Sequence, residues 1–316
     1  MTISSNRTAG VTLIELMVAL AIGSLVIVGA ITVYMQSRNT YRTSETAARL
    51  QEVARYAMDT IEPDVRLAGF WGLTNRWDLI QGRALPTETR TAIDATVGDN
   101  CGVNWTVNLQ FAIEGTDKSY ALSCSATNPV SWGDVLIIRR ASSDTVAPAA
   151  NRIQIQSTRI AGVLFNDGVR PTGYEVTNSE TRDLVVHAYY VGEILPSPNG
   201  IRQFALRRQT LIGGTTPSVR DEEIIPGVED LQVQFGVGPA GTSVQRYVNP
   251  GSVPAGWTVF SVRIWLRVIA EDREVGFKND MDWEYANADY GVFNDDRRRV
   301  LISKTIQIRN TFRSPT

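Results

Sequence analysis

The amino-acid sequence predicts an α+β protein: one long N-terminal α-helix, membrane-spanning in its first half, packed on a β-rich domain of antiparallel strands. Three observations carry that expectation. Residues 11–34 read VTLIELMVALAIGSLVIVGAITVY, in which Glu15 is the only charged side chain. Beyond them Ala47, Leu50, Ala54, Ala57, Met58, Ile61 and Val65 recur at three- and four-residue steps, the spacing of one helical face. Past Trp71 the apolar residues come in short, often alternating runs broken by Gly, Pro, Asn or Asp, the pattern of strands and turns.

The first element is the apolar run. At about 1.5 Å of rise per residue its 24 residues make a helix of roughly 36 Å, enough to cross a hydrocarbon core of about 30 Å. A secretory signal would place a small-residue cleavage site after its apolar core, whereas here the polar stretch from Met1 to Gly10 precedes the run and any cleavage lies ahead of the span. Arg7 and the initiating amine are the only positive charges before it, so the positive-inside bias keeps the N-terminus cytoplasmic and exports the chain beyond Tyr34, although Arg38 and Arg42 on the far side weaken that bias.

Glu15 is the informative residue of the span. A carboxylate in a membrane helix is expensive unless it lies at the interface or has a partner. A mature N-terminus created after Gly10 would place a cation four residues away, and the helix N-terminus itself favours an anion. Snorkelling to the headgroups is the alternative.

Residues 10–20, GVTLIELMVAL, closely resemble the class III signal of type IV prepilins and pseudopilins. That resemblance implies cleavage between Gly10 and Val11 by a prepilin peptidase on the cytoplasmic face, N-methylation of Val11, and Glu15 as the acid that pairs with a neighbouring subunit's N-terminal amine. The sequence departs from the family in having Val11 where Phe is usual, and in lacking a helix-kinking proline near Thr32; Gly23 and Gly29 supply either flexibility or close packing there.

The second element continues the first. No Gly or Pro interrupts the helical pattern between Tyr34 and Pro63, so the helix is expected to run to about residue 68, with Pro63 either kinking or ending it. A helix of over fifty residues makes sense if its first half packs in a bundle and its second half lies on its own domain. The adjoining Arg66-Leu67-Ala68-Gly69-Phe70-Trp71-Gly72 resembles the helix end of PilW-type minor pilins, although Leu73 stands where relatives often have Cys.

The domain expected over residues 69–316 is read from its strands. Val135–Ile138, Ile153–Gln156, Leu184–Val191, Ile201–Arg207, Leu231–Val237 and Phe260–Ala270 are apolar or alternating, and Val300, Ile302, Thr305, Ile306 and Ile308 suggest a last strand ending at Asn310. In the longest, Phe260, Val262, Ile264, Leu266 and Val268 face one way and Arg263 and Arg267 the other, with Trp265 on the polar side over a neighbouring strand or the helix edge. Pro226-Gly227-Val228-Glu229-Asp230-Leu231 again resembles PilW-type minor pilins and the J-type pseudopilins.

Composition excludes several other functions. A net charge of −2 and a pI of about 5.6 offer no general attraction to nucleic acid, which is not an expected partner. Two cysteines cannot make a four-thiolate zinc site; Cys101 and Cys124 fit a disulfide in an exported domain, with two free buried thiols as the alternative. His187 in LVVHAYYV reads as a packed or surface strand residue rather than a catalytic base, and no phosphate-binding loop or hydrolase motif accompanies it. Asp280, Asp282 and Glu284 offer oxygen ligands for calcium but without EF-hand spacing, so a solvated loop is expected, with no cofactor. Arg207-Arg208 and Arg297-Arg298-Arg299 read as solvated charge clusters rather than DNA contacts.

The resemblance therefore implies residues 1–10 as leader, 11–34 as transmembrane and filament-core helix, 35–68 as its amphipathic continuation, and 69–316 as a periplasmic or extracellular domain. It implies a non-enzymatic minor pilin held in the inner membrane and then incorporated into a surface pilus. Its partners would be prepilin peptidase, other minor and major pilins, the inner-membrane assembly platform and a tip adhesin, and it would help to initiate assembly for twitching, adhesion or DNA uptake. A J-type pseudopilin of a type II secretion system, and a membrane-anchored periplasmic enzyme or binding module, are the alternatives.

Overall fold

The structure is a computed structural model in which residues 10–84, 101, 104–197 and 200–311 are described. Residues 1–9 of the expected leader lie outside them. The chain divides into two compact units, one through Arg49 and one from Leu50.

Helix α1 spans Leu13–Leu67, 55 residues, with Pro63 inside it. Proline is placed four residues before the helix ends, and the chain passes through it without stopping. In the first unit the large apolar side chains from Val11 to Met35 are exposed along the helix. In the second, Leu50, Ala54, Ala57, Met58, Ile61 and Val65 are buried, as their spacing predicts.

The β-rich unit is built from two main sheets. Strands β1 (Ile80–Gln81), β2 (Ile113–Thr116), β3 (Val135–Ala141), β4 (Ala150–Ser157), β5 (Gly162–Asp167), β6 (Glu180–Ile194), β7 (Gln203–Ile212) and β8 (Ser218–Pro226) form an eight-stranded sheet. Its order runs β1-β5-β4-β6-β3-β2, with β7 on the other side of β6 and β8 beyond β7. Among the described residues only the short β1–β5 pairing of this sheet is parallel.

Strands β9 (Val228–Pro239), β10 (Arg246–Val248), β11 (Trp257–Ile269) and β14 (Arg299–Gln307) make a four-stranded antiparallel sheet in the order β10-β9-β11-β14. A separate hairpin joins β12 (Asp282–Tyr285) to β13 (Ala288–Val292). Every strand expected from the sequence is present. The one expected from Ile201 instead begins at Gln203 and runs to Ile212, because Ala205–Ile212 pairs with β8, a strand too charged to announce itself.

Two apolar clusters explain the sequence pattern. The first joins the buried face of α1 to Leu136, Ile138, Tyr189 and Val191 of the larger sheet and to Leu231, Val233, Ile264 and Leu266 of the smaller. The second lies on the opposite face of the larger sheet, where Val135, Ile137, Val186 and Tyr190 meet Trp71, Trp105, Leu109, Cys101 and Cys124. Strand β3 is covered on both sides, so its VLII run is continuously apolar rather than alternating. The two cysteines are joined as a disulfide within the second cluster.

Alternation along β3 also sends its two arginines opposite ways. Arg139 turns to the second cluster, donating to the carbonyls of Trp105 and Phe111 at 2.8 and 2.7 Å and to Glu114 Oε1 at 2.7 Å. Arg140 turns to the helix.

Candidate functional site

The first turn of α1 is closed by a reciprocal pair of hydrogen bonds. Thr12 precedes the helix; its Oγ1 accepts from the Glu15 backbone N–H at 3.3 Å, while Glu15 Oε2 accepts from the Thr12 backbone N–H at 3.1 Å and from its hydroxyl at 3.0 Å. This is a capping box, in which a Thr and a Glu three residues apart satisfy the helix's free N–H groups. Farther along, Ser24 and Thr32 donate to the carbonyls of Ala21 and Gly29, each at 2.8 Å, so both hydroxyls are satisfied within the apolar segment. Gly10 and Val11 lie exposed just ahead of the cap. Gly10, Val11 and Glu15 are thus gathered in one short stretch, where among the described residues the Glu15 side chain bonds to Thr12.

The other end of the helix is tied to the larger sheet through a buried carboxylate. Asp64 Oδ1 accepts from Arg140 Nε and Nη2 at 2.9 and 2.8 Å, and its Oδ2 receives Tyr189 Oη at 2.6 Å and His187 Nδ1 at 2.5 Å. Burial works against the Asp64 charge, but its hydrogen bond to His187 and the charges and hydroxyl around it outweigh that and hold it well below the usual carboxylate range. Burial also lowers His187, against the opposing pull of Asp64, and its Nδ1 lies on the carboxylate that Arg140 engages from the other side. His187 is therefore packed in the core, one of the two placements its strand position left open, with a partner 123 residues away.

The turn between β8 and β9 explains the PGVEDL segment residue by residue. Gly227 takes φ +95°, a conformation that side chains rarely adopt; its N–H donates to the Phe204 carbonyl at 2.7 Å and its carbonyl accepts from Ile269 N at 2.8 Å. Val228 and Leu231 enter the first apolar cluster. Glu229 receives Arg267 Nε and Arg299 Nε at 2.8 Å each. Asp230 receives the hydroxyls of Tyr285 and Tyr290 at 2.6 Å each, which holds the β12–β13 hairpin down on β9.

Several expectations are corrected here. Arg207-Arg208 and Arg297-Arg298-Arg299 are not solvated clusters: Arg207 pairs with Asp221 and Glu223, Arg208 with Glu222, Arg298 with Glu274, and Arg299 with Glu229 and Asp295. Arg297 is buried and donates to the carbonyls of Ala270 and Arg202 at 2.8 and 2.6 Å. Arg267 shares the polar face of β11 with Arg263 but is buried, stacked 4.0 Å from the Tyr290 ring, because the hairpin covers that end of the sheet. Trp265 lies half-buried on the same face, beside Arg263. Asp280, Asp282 and Glu284 are each exposed, and among the described residues no three His, Cys, Asp or Glu side chains are grouped as metal ligands.

Comparison with known families matches both ends of the chain. The Prokaryotic N-terminal methylation motif covers residues 5–31, and Type IV Pilus-assembly protein W covers residues 188–310. No curated protein and no solved structure matches. The second match begins beside His187 and takes in the PGVED turn, the buried Glu229 and Asp230 pairs and the β12–β13 hairpin, and it favours the pilus over a secretion pseudopilus. With a methylation motif at the head of the helix and the assembly-protein W pattern in the sheets on which the helix ends, the two matches support a type IV minor pilin of the PilW type.

Proposed function

We propose that this protein is cleaved between Gly10 and Val11 by a prepilin peptidase, methylated on the Val11 amine, and drawn into a filament by its N-terminal helix, where it helps other minor pilins to initiate assembly. The observation that carries the reading is Glu15: an acid in the first turn of a helix whose apolar side chains from Val11 to Met35 have no cover of their own. Burying that surface among other helices is worth about 25 cal/mol per Å². An unpaired carboxylate buried with it would cost several kcal/mol, so the acid fixes which packing register is allowed, and the new Val11 amine of a neighbouring helix is the partner that removes the penalty.

Before assembly the subunit is a single-pass inner-membrane protein with its N-terminus cytoplasmic and its β-rich unit periplasmic, in keeping with a disulfide in the latter. Its partners are other minor and major pilins, the assembly platform and, at the pilus tip, an adhesin. Catalysis is no part of the proposal. The single histidine is engaged by Asp64 inside the core and out of reach of a substrate.

The test is mass spectrometry of the protein from its native host with and without the prepilin peptidase. Loss of residues 1–10 and one methyl group on Val11 are expected in the wild type, with both changes absent when the peptidase is deleted. A full-length N-terminus in the wild-type host overturns the proposal.

A further inference from the structure

A cleft of about 390 Å³ opens in the β-rich unit between the starts of β7, β9 and β14, the end of β11, and the segment after the β12–β13 hairpin. Its size falls in the range of about 300–1,000 Å³ usual for small-ligand sites. Trp132, Phe204, Tyr290 and Phe293 give it apolar walls. Four arginines, Arg202, Arg267, Arg297 and Arg299, also line it, against only two carboxylates, Glu229 and Asp295.

The hydrogen bonds show that those carboxylates are already committed. Glu229 takes Arg267 Nε and both Nε and Nη2 of Arg299, and Asp295 takes Nη1 and Nη2 of Arg299 at 2.8 Å each. Arg297 is left to backbone carbonyls alone, and burial lowers its affinity for its proton. Arg267, only 1% exposed, has a buried Nη1 with no hydrogen-bond partner among the described residues. Buried cations are normally matched by anions and buried donors by acceptors. Two cations of the cleft therefore offer donors that no carboxylate takes, the buried Nη1 of Arg267 and the guanidinium of Arg297, which bonds to carbonyls, and one anionic acceptor between them would engage both. At its mouth Arg202, paired with Glu193, lies 5.5 Å over Trp132 and 5.2 Å over Phe204.

We propose that this cleft is a binding site for a carboxylate carried on an apolar body, the chemistry presented by an aromatic or aliphatic acid and by the free C-terminal residue of a polypeptide. The head group sits against the guanidinium groups of Arg267 and Arg297, and the apolar body lies against Trp132 and Phe204. A carboxylate suits a planar guanidinium geometrically, and the aromatic walls disfavour a fully hydrated phosphate.

The test is calorimetric titration of the detergent-solubilised full-length chain with three probes: N-acetyl-L-phenylalanine, its carboxamide, and 3-phenylpropionate. Saturable binding of the two acids is expected, with the neutral carboxamide weaker by roughly tenfold or more, the loss of a charge-assisted hydrogen bond. Tighter binding of N-acetyl-L-phenylalanine than of phenylpropionate assigns the site to a chain terminus, and the reverse assigns it to a free acid. Arg267→Met is expected to abolish binding. Arg202→Glu, at the exposed mouth where folding is not at stake, is expected to weaken both acids while sparing the carboxamide. Equal binding of acid and carboxamide, or no saturation of either acid by about 10 mM, overturns the proposal.

Discussion

Tyr189 on β6 places its hydroxyl 2.6 Å from the carboxylate of Asp64 on α1, joining residues 125 positions apart at the point where the helix meets the larger sheet. The contact makes a testable claim about what fixes the helix. Asp64→Ala leaves Arg140 a buried cation without its acid, and removal of one member of a buried pair costs about 3–5 kcal/mol. Denaturant unfolding followed by tryptophan emission measures it, since all seven tryptophans lie in the β-rich unit. A loss below about 1 kcal/mol, the scale of a surface pair, would show that the apolar face of the helix suffices alone.

Gly227 is expected to be intolerant for a different reason. Its Cβ would meet nothing closer than 3.5 Å, so space is not the obstacle; the backbone conformation at φ +95° is. Gly227→Ala should therefore cost about 1–3 kcal/mol of stability, in the same unfolding assay, without exposing new apolar surface. An unchanged midpoint would mean that the turn relaxes at no cost.

Asp134 should give the folded domain an unusual pH dependence. Burial pushes its carboxyl up to about 7, aided by the nearby Asp117 and Asp230, although backbone N–H groups of Lys118 and Val233 donate to it at 2.9 and 2.8 Å. The folded state then holds a proton that the unfolded state releases near pH 4, so this group's stabilisation is complete below about pH 4 and is lost as pH rises through about 7. Compared with Asp134→Asn, the wild type should lose stability on the order of 3 kcal/mol between those limits. Parallel pH profiles for the two proteins would refute the assignment.

At the N-terminus, Thr12 and Glu15 separate a local role from an intermolecular one. Thr12→Ala removes the cap, worth about 1 kcal/mol, and leaves Glu15 its charge, so incorporation into pili should fall only modestly. Glu15→Ala removes the acid itself and should abolish incorporation, measured as the amount of this protein in sheared filaments. Equal effects of the two substitutions would reduce Glu15 to a capping residue.

The legible parts of this molecule are those whose signal is local. The apolar run from Val11 to Tyr34 and the period of Leu50, Ala54, Ala57 and Ile61 place the helix, and the alternation from Val262 to Val268 places β11. What escapes a reading along the chain is who meets whom. Arg299 looks like one of three adjacent surface cations, yet its acid is Glu229, 70 residues earlier, and both are buried only because a sheet and a hairpin close over them. His187 is likewise ambiguous until Asp64 comes in from the helix. Strand β8 is hidden by its own DEE sequence, since an edge strand that pairs these acids with Arg207 and Arg208 keeps its apolar packing to Val219, Ile224 and Ile225 at its two ends.

Five consecutive residues, from Pro226 to Asp230, serve four separate neighbours: the end of β8, the Phe204 and Ile269 backbone, the Arg267 and Arg299 side chains, and the two hairpin tyrosines. So short a stretch cannot drift one position at a time, because inserting or deleting a residue would turn the core Val228 outward and carry one of the two acids into the apolar cluster. Substitutions within it should behave as a single unit rather than as a sum, and the segment is in effect the pin on which the otherwise independent layers of the domain are aligned.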